Sequence, residues 1–181
     1  MGTISNEQTN NVFYLNEGRV IQRTNETSGD NVFEKNGKFY KSFDGISGRI
    51  INVEKKSGYE SNIDVRITLL DDDQTTKNYL EFTIGSGYWI SFSKAFPNLD
   101  VNATVELYPT FKIEEGTKKT SLLMKQKGEW LKRFYTVENK SDLPEPKTVT
   151  VKGKTVYDYE DQENFLFNLI SEKLKTDLLP F

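Results

Sequence analysis

A chain of 181 residues and 20.9 kDa suits one domain, or one domain with an appendage. It has neither cysteine nor histidine, which excludes disulfides, thiolate nucleophiles, His-dependent triads and Cys/His zinc sites. A net charge of −3 and a pI near 5.2 exclude a uniformly basic nucleic-acid binder, for which a pI above ~9 is usual. The charge is uneven, however. Residues 1–110 carry 11 basic and 15 acidic groups, residues 111–155 carry 11 and 6, and residues 156–181 carry 2 and 6. A basic middle is followed by an acidic end. The aromatic share of 13% is high, and those rings need either a core or a binding face.

The N-terminus shows no apolar signal region, and no stretch reaches the ~18–20 apolar residues that span a bilayer. Asn6 stands where a myristoylation start wants Ser or Thr. A soluble, cytoplasmic protein is expected, and the sequons at Asn25, Asn102 and Asn139 then read as chance matches.

Frequent turn signals between short apolar runs predict a mainly β body. Val12–Leu15 and Arg19–Gln22 flank Asn16-Glu17-Gly18; Val32–Glu34 and Lys38–Phe43 flank Asn36-Gly37, a two-residue hairpin signal. Ile46–Lys55 reads as a long strand with a bulge or bend at Gly48. Ile63–Leu70 and Tyr79–Ile84 alternate cleanly, and Tyr88–Phe96 reads as a short helix ended by Pro97. Strand pattern resumes at Asn102–Phe111, Lys119–Lys127 and Trp130–Thr136. Residues 137–147 look like a linker. Thr148–Val151 and Lys154–Tyr157 form a small hairpin, and Glu160–Lys175 is a helix with an apolar stripe of Phe165, Leu166, Leu169, Ile170 and Leu174.

Few groups suggest chemistry. Asp71-Asp72-Asp73 lacks the Gly and Glu of a calcium loop, having Thr76 and Phe82 there, and reads as a hairpin turn. Gly85 and Gly87 lack a nucleotide-cradling pattern, and no carboxylate pair stands out. The expectation is therefore a non-enzymatic protein that needs no cofactor or metal. What remains is interleaving of rings and cations: Tyr108, Phe111, Lys112, Lys118, Lys119, Lys125, Lys127, Trp130, Lys132, Arg133, Phe134 and Tyr135. A cationic groove for phosphates and flat side chains for bases are what single-stranded nucleic acid requires. On an extended Trp130–Tyr135, Trp130, Lys132 and Phe134 would share a face. The competing reading has these rings in a core and the lysines blunting an edge strand.

Five strands with one short helix after the third describe the OB-fold, a small Greek-key barrel that often binds oligonucleotides. Here they are Tyr40–Lys55, Ile63–Leu70, Tyr79–Ile84, the helix, Val101–Phe111 and Lys119–Lys127. The wording is similar to that of small single-stranded-DNA-binding proteins of bacteriophages. The stretches concerned are Phe39-Tyr40-Lys41-Ser42-Phe43-Asp44-Gly45, Gly87-Tyr88 through Phe96-Pro97-Asn98-Leu99-Asp100, and Val151-Lys152-Gly153-Lys154-Thr155-Val156-Tyr157-Asp158. Asp177-Leu178-Leu179-Pro180-Phe181 resembles the C-terminal tip of bacterial single-stranded-DNA-binding proteins, which docks partner proteins. The alternative is that Leu178, Leu179 and Phe181 simply pack on the body.

The expected architecture is an OB-fold β-barrel at 38–136, a hairpin extension at 1–37, a linker at 137–147, and a small hairpin, helix and tip at 148–181. The expected function is sequence-independent binding of single-stranded DNA in replication or recombination, within a bacterial host cell. Lys112, Lys119, Lys125, Lys127, Lys132 and Arg133 would track phosphates, while Tyr108, Phe111, Trp130 and Tyr40 stack on bases. Arg66 and Tyr79 lie on the usual ligand face of the fold, and Pro180 and Phe181 would dock replication or recombination proteins. The rivals are a phage structural or assembly protein and a carbohydrate-binding module. Clustered lysines favour nucleic acid over a neutral sugar.

Overall fold

The computed structural model describes residues 11–58, 62–151 and 153–178. The first strands come as hairpins: β1 (Val12–Asn16) with β2 (Arg19–Arg23), and β3 (Val32–Lys35) with β4 (Lys38–Phe43). Asn36 and Gly37 both take positive φ, 52° and 71°, as a tight two-residue hairpin turn demands. An antiparallel meander follows, made of β5 (Ile46–Ser57), β6 (Ile63–Leu70) and β7 (Lys77–Thr83). Helix α1 (Gly87–Ala95) starts at Ser86, whose side chain accepts a hydrogen bond from the Trp89 backbone N–H, and Pro97 follows its end. Next come the long hairpin of β8 (Val105–Glu114) and β9 (Thr117–Gln126), and β10 (Glu129–Trp130) at its edge. Strands β11 (Lys147–Val151) and β12 (Lys154–Asp158) pair with each other ahead of helix α2 (Glu160–Asp177).

Ten strands form one mixed sheet in the order β10-β9-β8-β5-β6-β7-β1-β2-β4-β3. The N-terminal hairpins join it because β1 runs parallel to β7. Strand β5 pairs with β8 through Ile46, Ser47 and Gly48 and with β6 from Arg49 to Ser57. At Gly48, where a bulge or bend is expected, φ is 154° and the strand changes partner from β8 to β6; a register shift follows between Ile50 and Asn52.

The sheet is open, which corrects the expected closed barrel. Among the described residues no ladder joins β7 to β9. Helix α1 lies along the side of β9 that β8 leaves free. The Ser91 hydroxyl accepts the Leu122 backbone N–H at 2.7 Å and donates to the Gly87 carbonyl. Gly87 has no Cβ to collide with the Thr120 carbonyl, so helix and strand can touch. Two further corrections concern strand ends. The expected strand Tyr40–Lys55 is split at Asp44-Gly45 into β4 and β5, and Trp130–Thr136 is extended only at Trp130. Beyond it the chain bonds to a helix end, since the N–H groups of Phe134 and Tyr135 both donate to the Lys94 carbonyl.

Alternation puts Val65, Ile67, Leu69, Leu80, Leu107, Leu122 and Met124 on the inner face of the sheet. Two helices cover that face. From α1 come Trp89 and Phe92, with Phe96 just beyond; from α2 come Leu166, Ile170 and Leu174, all buried. Phe165 and Leu169 of the expected stripe are only partly buried. No helix among the described residues is long and apolar enough to cross a membrane.

Candidate nucleic-acid interface

The same alternation that buries Leu107, Leu122 and Met124 sends the intervening residues outward. On the β8–β9 hairpin, Glu106 lies opposite Lys125, Tyr108 opposite Leu123, Thr110 opposite Ser121 and Lys112 opposite Lys119. Strand β10 sets Trp130 opposite Lys125. The Tyr108 and Trp130 rings meet edge to face, with centroids 5.5 Å apart, and the Lys125 ammonium lies 6.0 Å from the Trp130 centroid. Trp130 is 55% exposed and Leu123 is 41% exposed. The Tyr108 hydroxyl donates to the Glu106 carboxylate, which raises the Tyr108 pKa and orients the ring. The result is a solvent-facing patch with two rings, one apolar side chain, a cation and the Glu106 carboxylate.

The other cations differ in how free they are. Lys112 and Lys119 both pair with Glu114, and their hydrogen bonds hold its carboxyl at about 2. Lys127 pairs with Asp100 at 2.8 Å. Exposed pairs of this kind are worth little. Lys125, Lys132 and Arg133 have no such partner among the described residues. The backbone carrying the last two is held at several points. Leu131 N–H donates to the Met124 carbonyl at 2.8 Å, and the Asn98 side-chain amide donates to the Lys132 carbonyl at 2.9 Å. Buried Tyr135 anchors the segment, its hydroxyl donating to Asp142 at 3.1 Å. Phe134 is exposed and packs edge to face on Tyr135.

Arg66, Tyr79 and Tyr40 lie elsewhere on the outward face. The Arg66 guanidinium sits 5.2 Å over the Tyr79 ring while its Nη2 and Nε reach Glu81 Oε1 at 2.6 and 2.8 Å. Lys56 meets the same oxygen at 2.8 Å. Burial would raise the Glu81 carboxyl, but hydrogen bonds from Lys56 and Arg66 hold it below its ordinary range. Arg66 is thus committed to Glu81. Tyr40 stacks on Phe33 at 5.8 Å, with β1 and β2 between it and Tyr79. Phe111 is half-buried under the β1–β2 turn, where the Gly18 backbone rests on it and Lys118 reaches over its ring toward Glu17.

The structure therefore brings together Tyr108, Lys125 and Trp130, sets Lys112 and Lys119 on the same face, and places Lys132 and Arg133 just beyond Trp130 on the chain. It does not join Phe111, Tyr40, Arg66 or Tyr79 to them. Period-two alternation along Lys119–Lys127 puts Leu123 on the face of Lys119, Ser121 and Lys125, although its residue type alone does not mark it as a site residue. Pro180 and Phe181 lie outside the described residues. Among the described residues no group of three or more acidic side chains is placed to hold a metal ion. The Asp73 carboxylate accepts the N–H groups of Thr75 and Thr76 at 2.8 and 2.7 Å, closing its own turn. In comparisons with known proteins, no family model matches this chain, and no curated protein or solved structure is significantly similar to it.

Proposed function

We propose that this chain binds single-stranded DNA without strong sequence preference and performs no chemistry on it. The observation that carries the reading is exposed Trp130 meeting half-buried Tyr108 beside Lys125, on a face that also carries Lys112 and Lys119. Stacking accepts any base and lysines accept any phosphate, so such a surface binds the polymer rather than a sequence. The order of the central elements supports an OB-type core in which α1 takes the place of the closing strand contact: meander β5–β7, helix α1, hairpin β8–β9. Protection of single strands during replication or recombination of a phage in its bacterial host is the role this reading implies. Pro180 and Phe181 would then serve as a docking tip, which their deletion tests by loss of partner capture with DNA binding intact.

The direct experiment is a gel shift with a single-stranded oligonucleotide, a duplex of the same sequence and an oligosaccharide competitor. A shift of the single strand that the sugar leaves unchanged is expected. Duplex binding as tight as single-strand binding would overturn the proposal.

A further inference from the structure

Lys94, in the last turn of α1, is half-buried and makes no ion pair among the described residues. Burial, and after it the nearby charge of Arg133, hold its ammonium below the ordinary lysine range, and no carboxylate contributes in the other direction. The two cations line one cleft of about 340 Å³. Lys140 and two acids line the same cleft, and both acids are already engaged within it: Glu145 pairs with Lys140 at 2.8 Å, and the Glu138 carboxylate is hydrogen-bonded by Thr136. The backbone enforces the meeting. Phe134 and Tyr135 both donate to the Lys94 carbonyl, at 2.8 and 3.2 Å, so the loop bearing Arg133 is tied to the residue bearing the amine.

The half-buried Lys94 ammonium and the Arg133 guanidinium, neither paired with a carboxylate among the described residues, repel each other, and a bound anion reverses that cost. A guanidinium and an ammonium facing one cleft suit the oxygens of a phosphate, one offering a planar fork and the other a point charge. Trp130 lies three residues before Arg133, so the two Cα atoms are at most about 11 Å apart. We propose that Lys94 and Arg133 form a phosphate seat, occupied by a phosphodiester of the strand whose bases stack at Trp130. The phosphodiester assignment rests on the reading above; the seat itself does not.

Two measurements separate them. In the first, inorganic phosphate is titrated into the full chain while the lysine side-chain NMR signals are followed. The Lys94 signal, assigned by its loss in Lys94→Gln, should shift in the wild type and stay still in Arg133→Gln. In the second, the salt dependence of oligonucleotide binding is compared in wild type, Lys94→Gln and Arg133→Gln. Each variant should lose about one contact, flattening the slope by ~0.7. Exposed Arg133 keeps the test sound if Lys94→Gln disturbs folding. Oligonucleotide binding with an unchanged slope in Arg133→Gln would overturn the phosphodiester seat and leave the binding function standing. No oligonucleotide binding by the wild type would overturn the function, and a motionless Lys94 signal in phosphate would overturn the seat as well.

Discussion

The Ser91 hydroxyl on α1 accepts the backbone N–H of Leu122 on β9 at 2.7 Å, in the position where a closing strand would have bonded. A buried backbone donor must find a partner, and here a helix side chain supplies it. Ser91→Ala should leave that N–H unsatisfied and cost about 1–3 kcal/mol in denaturant unfolding. Gly87→Ala should cost at least about 1–3 kcal/mol, because its methyl would meet the Thr120 carbonyl. Wild-type stability in both variants would mean that α1 does not seal this edge.

Trp130 is one of two tryptophans, and the other, Trp89, is fully buried. Quenching of tryptophan fluorescence by an oligonucleotide should therefore report on Trp130. Trp130→Ala should stay folded and bind more weakly by about 1–3 kcal/mol, and Tyr108→Ala should act in the same direction. Unchanged affinity in both would place stacking on another face.

The lysines should differ in their salt signatures. Lys125 has no carboxylate to leave, so Lys125→Ala should flatten the plot of log K against log salt by ~0.7. Lys112, Lys119 and Lys127 must first give up Glu114 or Asp100, so their alanine variants should change the slope less. Equal slopes in all four variants would mean that pairing does not grade these contacts.

Glu81 predicts a pH dependence of stability. Its folded carboxyl titrates below the unfolded value of about 4.5, so its contribution is present above that pH and is lost as pH falls through the folded value. Glu81→Gln should be least stable relative to wild type near neutral pH, by about 1–3 kcal/mol, with Arg66 and Lys56 left without their acceptor. The gap should narrow as pH falls below about 4.5 and through the lower folded value, where the wild-type carboxyl takes up its proton. Parallel curves from pH 6 to 3 would remove Glu81 as the cause.

The one-dimensional code was sufficient wherever structure is local. Period-two alternation in Ile63–Leu70 places its strand because each side chain answers to its own face of the sheet. Asn36-Gly37 marks a turn because few residue pairs tolerate positive φ twice, and the acids at the start of α2 suit its dipole. The grouping of Tyr108 with Trp130 is a different matter, since neither names the other: the register of β8 on β9 and of β9 on β10 makes the pair. Tertiary packing also decided the fate of Trp130–Thr136, whose strand-like composition yields to the Lys94 carbonyl at the end of α1. It decided closure too, because whether a strand or a helix satisfies the N–H of Leu122 depends on what arrives beside it. Composition along the chain carries no record of that arrival.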